Sequence, residues 1–421
     1  MRDEILQGLG HLEELLRQLP APVAHGLQQK VVELRELLLE RRPPRILLVG
    51  RRGAGKSSLV NAIFQQPLAE VGHVGRGTLS PRWYSYASER GALEVLDTRG
   101  IGEALQAHEA DARKAAMSAI LSDCRERSPD AVLFLIKAKE IESRTDEDVE
   151  DLATICAAIR KMQGVQLPIV CVVNQCDELS PPMVRLDRPD DSERYRNKVA
   201  AVRVVEQKLL DRVQEHPALQ GQIVNAIGVV SYVEWDAGGQ IIEDLRWQIE
   251  ELVRYMFQEL PAQAQVELAR LSRVEKLQRD LAMRVVHATA GVCAAVAVVP
   301  LPLADIGPIT SAQLSMITAV GYLGGRNLSV KAAGEFLVAL GVNVGAGFVF
   351  RELSRAIIKW AFPAGGSVVS AAVAYAATLA LGAASIAYFI EGKSVAEAKE
   401  EFARVKRRGE REYHEPKRSG R

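Results

Sequence analysis

The chain is poor in aromatic residues and cysteines and has no excess of charge of either sign. Aromatic residues make up 5% of its 421 residues, whereas hydrophobic residues make up 48%, so Ala, Leu and Val supply most of the apolar content. The 53 Lys and Arg residues equal the 53 Asp and Glu residues in number. This balance excludes a general positive field that would draw the whole chain onto nucleic acid or an acidic membrane.

The five cysteines lack the paired short spacing of zinc and redox sites. We therefore expect reduced, mostly buried thiols in a cytoplasmic protein. The first residues, MRDEILQGLGHLEELL, are amphipathic and acidic, whereas an export signal has a basic segment followed by an apolar run. We expect no export of the chain.

Changes in composition along the chain predict five segments. Two leucine-rich stretches separated by prolines predict an N-terminal helical hairpin, and a later amphipathic stretch predicts a connecting helix that packs against it. The segments are the helical hairpin at 1–42, an α/β domain at 43–260, the connecting helix at 261–285, an all-α apolar domain at 286–395 and a charged tail at 396–421.

Short apolar runs alternate with helical stretches in the α/β segment. The runs are RILLVG, LEVLDT, AVLFLI, PIVCVVN and IVNAIGVVS. Fully apolar runs of this length are typical of parallel strands whose sheet is covered on both faces. The alternating segment RWYSYAS precedes LEVLDT across a short turn and predicts one antiparallel edge pair. The fold class is therefore α/β, with a doubly wound and mostly parallel sheet.

The run GRRGAGKSS follows the first apolar strand and precedes a predicted helix, which is the context that a phosphate-binding P-loop requires. Its glycines allow a tight turn whose N–H groups face inward at a helix N-terminus, where the helix dipole favours an anion. Lys56 would reach the β- and γ-phosphates, and Ser57 would bind Mg²⁺. The residues predicted to surround the phosphates are Gly50, Gly53, Ala54, Gly55, Lys56, Ser57 and Ser58.

The sequence DTRG ends the strand LEVLD and places a carboxylate at the carboxyl end of the sheet, where open α/β sheets bind ligands. Asp97 would hold Mg²⁺ through a water molecule, and the N–H of Gly100 would meet the γ-phosphate.

The sequence NQCD follows the strand PIVCVV and resembles the base-reading N-K-x-D motif of the GTPases. The resemblance implies that Asp177 accepts two hydrogen bonds from guanine and that Asn174 braces the loop. Gln175 stands where the family has lysine, so we expect guanine selectivity with weakened affinity. Ser231 and Tyr232 fall where the family's last base-contacting loop lies.

Together, GRRGAGKSS, DTRG and NQCD resemble the translation-factor-related GTPases and, within them, the Era-like branch. The resemblance implies binding of GTP and GDP with Mg²⁺, slow hydrolysis, and two loops that rearrange when the γ-phosphate leaves. It also implies a threonine that closes on the metal. GRGTLSP offers Thr78 and Ser80, of which we favour Thr78, and we count Thr78 and Lys56 as catalytic residues.

Ile101 follows DTRG, at the position where Ras-like enzymes carry the glutamine that orients the attacking water. An apolar residue cannot orient water, so we expect slow intrinsic turnover. Four arginines are cationic candidates for the missing group, although a solvated surface charge is the more common role of any one of them. They are Arg51, Arg52, Arg76 and Arg99.

The last third contains a charge-free run from Gly365 to Ile390, long enough to cross a bilayer, for which about 20 residues suffice. Ala and Gly dominate it, and these residues favour membrane insertion less than Leu or Phe. The apolar stretch before Pro300 is too short to span. This third resembles an apolar domain of unknown function that follows bacterial GTPase domains, marked by VPLPLADIGPIT, SAQLSMI and ATLALGAA. More distantly, the whole arrangement resembles immunity-related and dynamin-like GTPases. These resemblances imply the inner face of a membrane, whereas a soluble helical bundle is the alternative.

Two hypotheses of function follow. The first is a GTPase switch whose nucleotide state controls a membrane lipid contact, a homodimer or another protein assembly through the apolar domain. The second is a soluble scaffold that GTP stabilises, which recruits a protein partner with little hydrolysis. A nucleic-acid partner is not expected, because the net charge is zero and no RNA-binding module is recognisable.

Overall fold

A computed structural model describes residues 40–67, 82–97, 110–143, 145–298, 307–326, 330–341 and 371–414, together with residues 28, 32 and 35. The chain divides into two compact units. One unit is Arg42–Ser272, and the other contains the described residues before Arg42 and those from Arg273 onwards.

The first unit is built on a six-stranded sheet. Its strands are β1 (Arg45–Gly50), β2 (Arg82–Ser88), β3 (Gly91–Asp97), β4 (Ala131–Lys137), β5 (Ile169–Asn174) and β6 (Ile223–Gly228). They are ordered β2-β3-β1-β4-β5-β6. All neighbours are parallel except β2, which pairs antiparallel with β3. The predicted α/β fold class and its antiparallel edge pair are confirmed.

Helices cover both faces of this sheet, as a doubly wound fold requires. They are α1 (Lys56–Phe64), α2 (Ala110–Glu126), α3 (Thr145–Gln163), α4 (Glu193–Glu215), α5 (Ile249–Glu259) and α6 (Ala262–Ser272). The central strands β4 and β5 are buried along almost their whole length, which explains their unbroken apolar sequences. A small hairpin, β7 (Val233–Trp235) with β8 (Ile241–Asp244), follows β6 and was not anticipated from the sequence.

The single connecting helix predicted over 261–285 is two helices in the structure. Arg273 has a left-handed backbone with φ of 56°, which a continuing right-handed helix cannot contain. The carbonyl oxygen of Ser272, at the end of α6, accepts a hydrogen bond of 3.2 Å from the side chain of Gln65. Helix α6 therefore belongs to the first unit, and the apolar part of the predicted connector continues into the second.

The second unit is all-helical in its described part. Its helices are α7 (Glu275–Val298), α8 (Gly307–Leu323), α9 (Val330–Ala339), α10 (Ala371–Phe389) and α11 (Val395–His414). Helix α10 packs against α7, α8 and α11. A Cβ atom added at Gly382 of α10 would lie 2.4 Å from Val286 Cγ1 on α7, so only glycine permits this approach. Most of the predicted N-terminal hairpin lies outside the described residues, but the guanidinium of Arg41 lies 3.8 Å from the centre of the Tyr322 ring on α8.

Helix α10 is the one described helix with the length and composition to cross a membrane. Its mean hydropathy is 1.6 over the relevant window, and 67% of that window is buried inside the protein. The buried side chains of Gln313 on α8 and Thr378 on α10 are joined by a hydrogen bond of 3.0 Å. Helix α10 is therefore both apolar enough for a bilayer and largely enclosed by its own unit.

Candidate nucleotide-binding site

The loop between β1 and α1 has the backbone of a phosphate cradle. Gly53 and Gly55 adopt φ angles of 78° and 88°, in the left-handed region that glycine enters without a steric penalty. A Cβ atom at Gly55 would lie 2.2 Å from Nδ2 of Asn174, and one at Gly50 would lie 2.6 Å from the carbonyl oxygen of Leu135. The glycines are therefore required both by the turn and by close contact with the neighbouring strands.

Lys56 begins α1 and turns its ammonium group back over the loop. Its Nζ donates hydrogen bonds of 2.6 Å to the carbonyl oxygen of Gly50 and 3.1 Å to that of Arg51. The backbone N–H of Ala54 also donates to the carbonyl oxygen of Arg51, at 3.2 Å. A buried positive charge thus lies at the N-terminus of a helix, an arrangement that suits a phosphate group.

Asn174 connects three loops at the carboxyl edge of the sheet. Its Nδ2 donates a hydrogen bond of 2.9 Å to the carbonyl oxygen of Ala54, and its Oδ1 accepts one of 3.0 Å from the hydroxyl of Ser231. Asn174 and Ser231 are both buried. The loops after β1, β5 and β6 are therefore held together by one fully buried amide, and the predicted bracing residue lies at their junction.

Gln175, which replaces the usual lysine, also contacts the phosphate loop. It adopts a left-handed φ of 63°, and its Nε2 donates a hydrogen bond of 3.0 Å to the carbonyl oxygen of Gly53. On the neighbouring strand, Lys137 pairs with Asn174 in the β4–β5 register. The Lys137 ammonium lies 3.2 Å from where a Cβ atom on Gly53 would stand, and it forms an ion pair of 3.2 Å with Glu140. A positive charge therefore lies beside Gly53, although it comes from β4 and not from the motif.

Asp177 stands in a short 3-10 turn, Cys176–Glu178, immediately after β5. Partial burial of its carboxyl group raises its pKa, the neighbouring Glu178 adds to this rise, and Lys198 and Lys139 oppose it. The carboxylate is thus placed one turn beyond Asn174, at the same edge of the sheet as the phosphate loop.

Lys198 was not identified from the sequence. It lies on α4, is completely buried, and donates hydrogen bonds to backbone carbonyl groups of the loop that begins at Asp177. The sequence did contain a signal for this burial, because Lys198 occupies a position of the apolar stripe of α4. The other members of that stripe are Val202, Val205, Leu209 and Val213.

Arg51 is engaged within the first unit. Its Nε donates to Asp148 at 2.6 Å and a terminal guanidinium nitrogen donates to Glu147 at 2.8 Å, so the loop is tied to the start of α3. Burial raises the pKa of the Asp148 carboxyl group against the opposing effect of Arg51. Arg51 is thus a bracing residue in this structure, and Arg52 is exposed.

The structure says less about the remaining predicted residues. Asp97 is the last residue of β3, where its backbone pairs with Leu48 of β1 and Arg82 of β2. Tyr232 is 46% exposed, and its hydroxyl donates a hydrogen bond of 3.3 Å to the carboxylate of Glu234. The predicted residues Arg76, Thr78, Ser80, Arg99, Gly100 and Ile101 lie outside the described part of the chain.

One hydroxyl and one carboxylate, from Ser57 and Asp97, are the kind of oxygen donors that Mg²⁺ accepts. Ser57 is the second residue of α1 and Asp97 ends the strand beside β1, so the hydroxyl and the carboxylate belong to adjacent elements. Within the described residues there is no cluster of three His, Cys, Asp or Glu side chains that could hold a metal alone. Mg²⁺ typically uses one or two protein oxygens together with phosphate oxygens and water.

Comparison with known proteins agrees with this geometry. Residues 45–175 match the family model described as 50S ribosome-binding GTPase. Two proteins of Escherichia coli strain K12 are similar to part of the chain. The uncharacterized protein YkfA is 31% identical over 143 residues, which cover 34% of this chain and 45% of YkfA. The uncharacterized protein YfjP is 31% identical over 146 residues, covering 34% of this chain and 45% of YfjP. The chain thus matches less than half the length of these relatives.

Two solved structures are also similar to the chain. Era in complex with MgGDPNP and a segment of 16S ribosomal RNA is 17% identical and has a TM-score of 0.33, with coverage of 52% of this chain and 58% of that chain. Toc33 from Arabidopsis thaliana in complex with GDP and Mg²⁺ is 17% identical and has a TM-score of 0.32, with coverage of 57% and 93%.

The family match begins with β1 and ends at Gln175, inside the loop that follows β5. It therefore contains the phosphate loop and the asparagine that braces it. With the glycine cradle and the inward lysine, this match places a GTP-binding domain of the P-loop GTPase class in the first unit of the chain.

Proposed function

We propose that the protein is a GTPase switch, which binds GTP with Mg²⁺, hydrolyses it slowly and transmits the nucleotide state to its apolar helical unit. The observation that carries the proposal is the junction at Asn174, where one buried amide joins the phosphate loop to the two loops that would hold the base. Both ends of a nucleotide would therefore contact a single connected structure, so that binding at one end organises the other.

The proposed roles follow from the chemistry of each group. The N–H groups of the glycine cradle and the Lys56 ammonium would bind and orient the phosphates. Mg²⁺, when bound by Ser57 and Asp97, would supply charge neutralisation at the β- and γ-phosphates. Thr78 would complete the metal site. The apolar Ile101 cannot orient the attacking water, so we expect slow turnover.

Asp177 is proposed to read guanine through two hydrogen bonds, while Gln175 braces the phosphate loop without the charge of the usual lysine. Ser231 would hold the last base-contacting loop through Asn174. Tyr232, which is exposed next to Ser231, would contact the base from the rim of the site.

The output of the switch is proposed to be a membrane surface or a protein assembly, including a homodimer. Supporting this is the presence, in one chain, of the GTPase unit and a second unit whose helix α10 has a mean hydropathy of 1.6. Release of α10 from its neighbours would expose an apolar surface of the kind that membranes and partner proteins bind.

Nucleotide binding and multiple-turnover hydrolysis test the enzyme itself. We expect the wild type to bind GTP and GDP, Lys56→Ala to lose binding without unfolding, and Asp177→Asn to shift preference from guanine towards xanthine nucleotides. Tight GTP binding without turnover, at any protein concentration and with or without lipid, would replace the switch by a scaffold that GTP stabilises. Retained GTP binding in Lys56→Ala would contradict the site.

Co-sedimentation with liposomes tests the output. The intact protein is mixed with vesicles and a GTP analogue, with GDP, or with neither. We expect pelleting that depends on the nucleotide. If the protein stays in the supernatant under all three conditions, the helical unit acts on a protein assembly. Retention in ribosome pellets at modest salt would favour the ribosome named in the family description.

A further inference from the structure

Lys198 is a buried cation whose hydrogen-bond partners all come from one loop. The residue has 0% relative exposure, and its ammonium group donates to the carbonyl oxygens of Asp177 at 2.7 Å and Pro181 at 3.2 Å, as well as to that of Leu179. These three carbonyl groups belong to alternate residues of the five-residue stretch 177–181, which begins at Asp177. The ammonium therefore stands at the centre of this loop.

The position of this charge is energetically demanding. Burial lowers the pKa of Lys198, and the negative charge of Asp177 opposes that effect. A buried charge is tolerated only when its donors are satisfied, which three carbonyl groups achieve for the three N–H bonds of an ammonium. If the loop changed shape, the ammonium would lose partners inside the protein, so the shape of the loop and the charge are coupled.

The two halves of the turn are fixed in different ways. Before Asp177, Cys176 is held by the strands, because its N–H donates to the carbonyl oxygen of Val229 at 3.2 Å and its thiol donates to that of Val173 at 3.2 Å. From Asp177 onwards the carbonyl groups bond to Lys198, while the N–H groups of Glu178 and Leu179 close the turn on the carbonyl oxygens of Gln175 and Cys176. Asp177 is thus the first residue of the loop whose carbonyl group is bound by the lysine.

We propose that Lys198 is the positioning residue of guanine recognition: by binding three carbonyl groups of the loop, it holds the Asp177 carboxylate where it can discriminate guanine from a base without the exocyclic amino group. The inference rests on the proposed function, in which Asp177 reads guanine. A residue outside the recognised motif thereby sets the base selectivity of the site.

The test compares GDP with IDP, whose base lacks that amino group, as ligands of the intact protein. A hydrogen bond to a charged group is worth enough to give the wild type a preference for GDP of about tenfold or more. We expect Lys198→Met to reduce this ratio to about one with a smaller loss of IDP affinity than of GDP affinity, because the base of IDP keeps one of the two N–H groups that Asp177 would accept, and the phosphate loop is untouched. Lys198→Gln retains a donor without the charge and should give an intermediate ratio.

Lys208→Met is the matched control, because Lys208 lies on the same helix, is partly exposed, and pairs with Glu142 on the surface. It should leave both affinities and their ratio unchanged. Equal loss of GDP and IDP affinity in Lys198→Met, with the ratio preserved, would show a purely structural role and overturn the inference. Absence of a cooperative thermal transition in both Lys198 variants would overturn it too. A wild type that binds neither nucleotide would instead refute the proposed function.

Discussion

The side-chain amide of Asn174 donates a hydrogen bond of 2.9 Å to the carbonyl oxygen of Ala54, a residue 120 positions earlier in the chain. Its amide oxygen accepts from Ser231. Because the amide is fully buried, Asn174→Ala leaves two buried polar groups without this partner. We expect a loss of ~1–3 kcal/mol in the free energy of unfolding, measured in urea, with weaker GDP binding.

Ser231→Ala removes the hydroxyl partner of Asn174 and keeps the bond to Ala54. It should therefore destabilise the protein less, by ~0.5–1.5 kcal/mol. An equal loss of stability in both variants would contradict the central position of Asn174.

Gly55→Ala tests the phosphate cradle. Alanine at a φ of 88° is strained, and its Cβ atom would lie 2.2 Å from Nδ2 of Asn174, which would have to leave Ala54. We expect loss of GDP binding in titration calorimetry. Gly164→Ala is the matched control, because it has a φ of 72° with nothing within 4 Å of the added Cβ atom. Gly164→Ala should lower the free energy of unfolding only by the backbone strain of ~1–2 kcal/mol, and it should bind GDP normally. GDP binding by Gly55→Ala would show that the loop accommodates the clash.

Lys137→Ala tests the charge beside the phosphate loop. The ammonium of Lys137 lies against Gly53 and is partly exposed, with a side-chain exposure of 28%. Its removal should lower GDP affinity by about two- to fivefold, the effect of ~0.5–1 kcal/mol, and the loss should shrink at high salt. Adding Gln175→Lys to this variant restores a cation next to Gly53 and should recover the affinity. No recovery in the double variant would indicate that Lys137 acts through its own position only.

The half-buried carboxyl group of Glu206 makes stability depend on pH. Burial raises its pKa above the ordinary value of 4.5, against the opposing hydrogen bond from the N–H of Gly228 at 2.6 Å. In the window between 4.5 and the raised pKa, the folded state binds more protons than the unfolded state, so this group's contribution to stability falls as pH rises.

Glu206→Gln removes that titration. We expect the variant to be more stable relative to the wild type at pH 7 than at pH 4.5, which means a more positive difference in the free energy of unfolding at pH 7. Denaturant unfolding at both pH values measures the difference, and the same difference at both would contradict the raised pKa.

Gly382→Ala tests the close approach of α10 and α7. The added Cβ atom would lie 2.4 Å from Val286 Cγ1, and such overpacking typically costs ~1–3 kcal/mol. Val286→Ala removes the opposing methyl groups, so the double variant should recover part of the stability lost by Gly382→Ala alone. Thermal unfolding of the wild type, the two single variants and the double variant measures the stability differences of this double-mutant cycle. Additive losses would show that the two positions are not coupled.

The sheet and its ligand-binding edge could be predicted because each depends on local sequence. Fully apolar runs gave the parallel strands, and the glycines of the loop at Gly53 and Gly55 have left-handed backbones as a P-loop requires. The break at Arg273 could not be predicted, because a non-glycine residue in a left-handed conformation has no local sequence signal.

Lys198 and Lys137 escaped prediction for a different reason. Each acts on a loop distant in sequence, and only the tertiary fold brings their ammonium groups to Asp177 and Gly53. Periodicity could have drawn attention to Lys198 as a charge on an apolar stripe, yet it could not supply the partner.

The apolar surface of helix α10 could be buried either by the other helices of its unit or by a lipid bilayer. Because 67% of its most apolar window is already enclosed by α7, α8 and α11, a bilayer could solvate that surface only after those helices had released it. If the output of the protein is a membrane, as we propose, lipid and the helical unit would compete for the same side chains. In that case a change that loosens the packing at Gly382 and Val286 should favour contact of α10 with lipid, and a change that tightens the packing should oppose it.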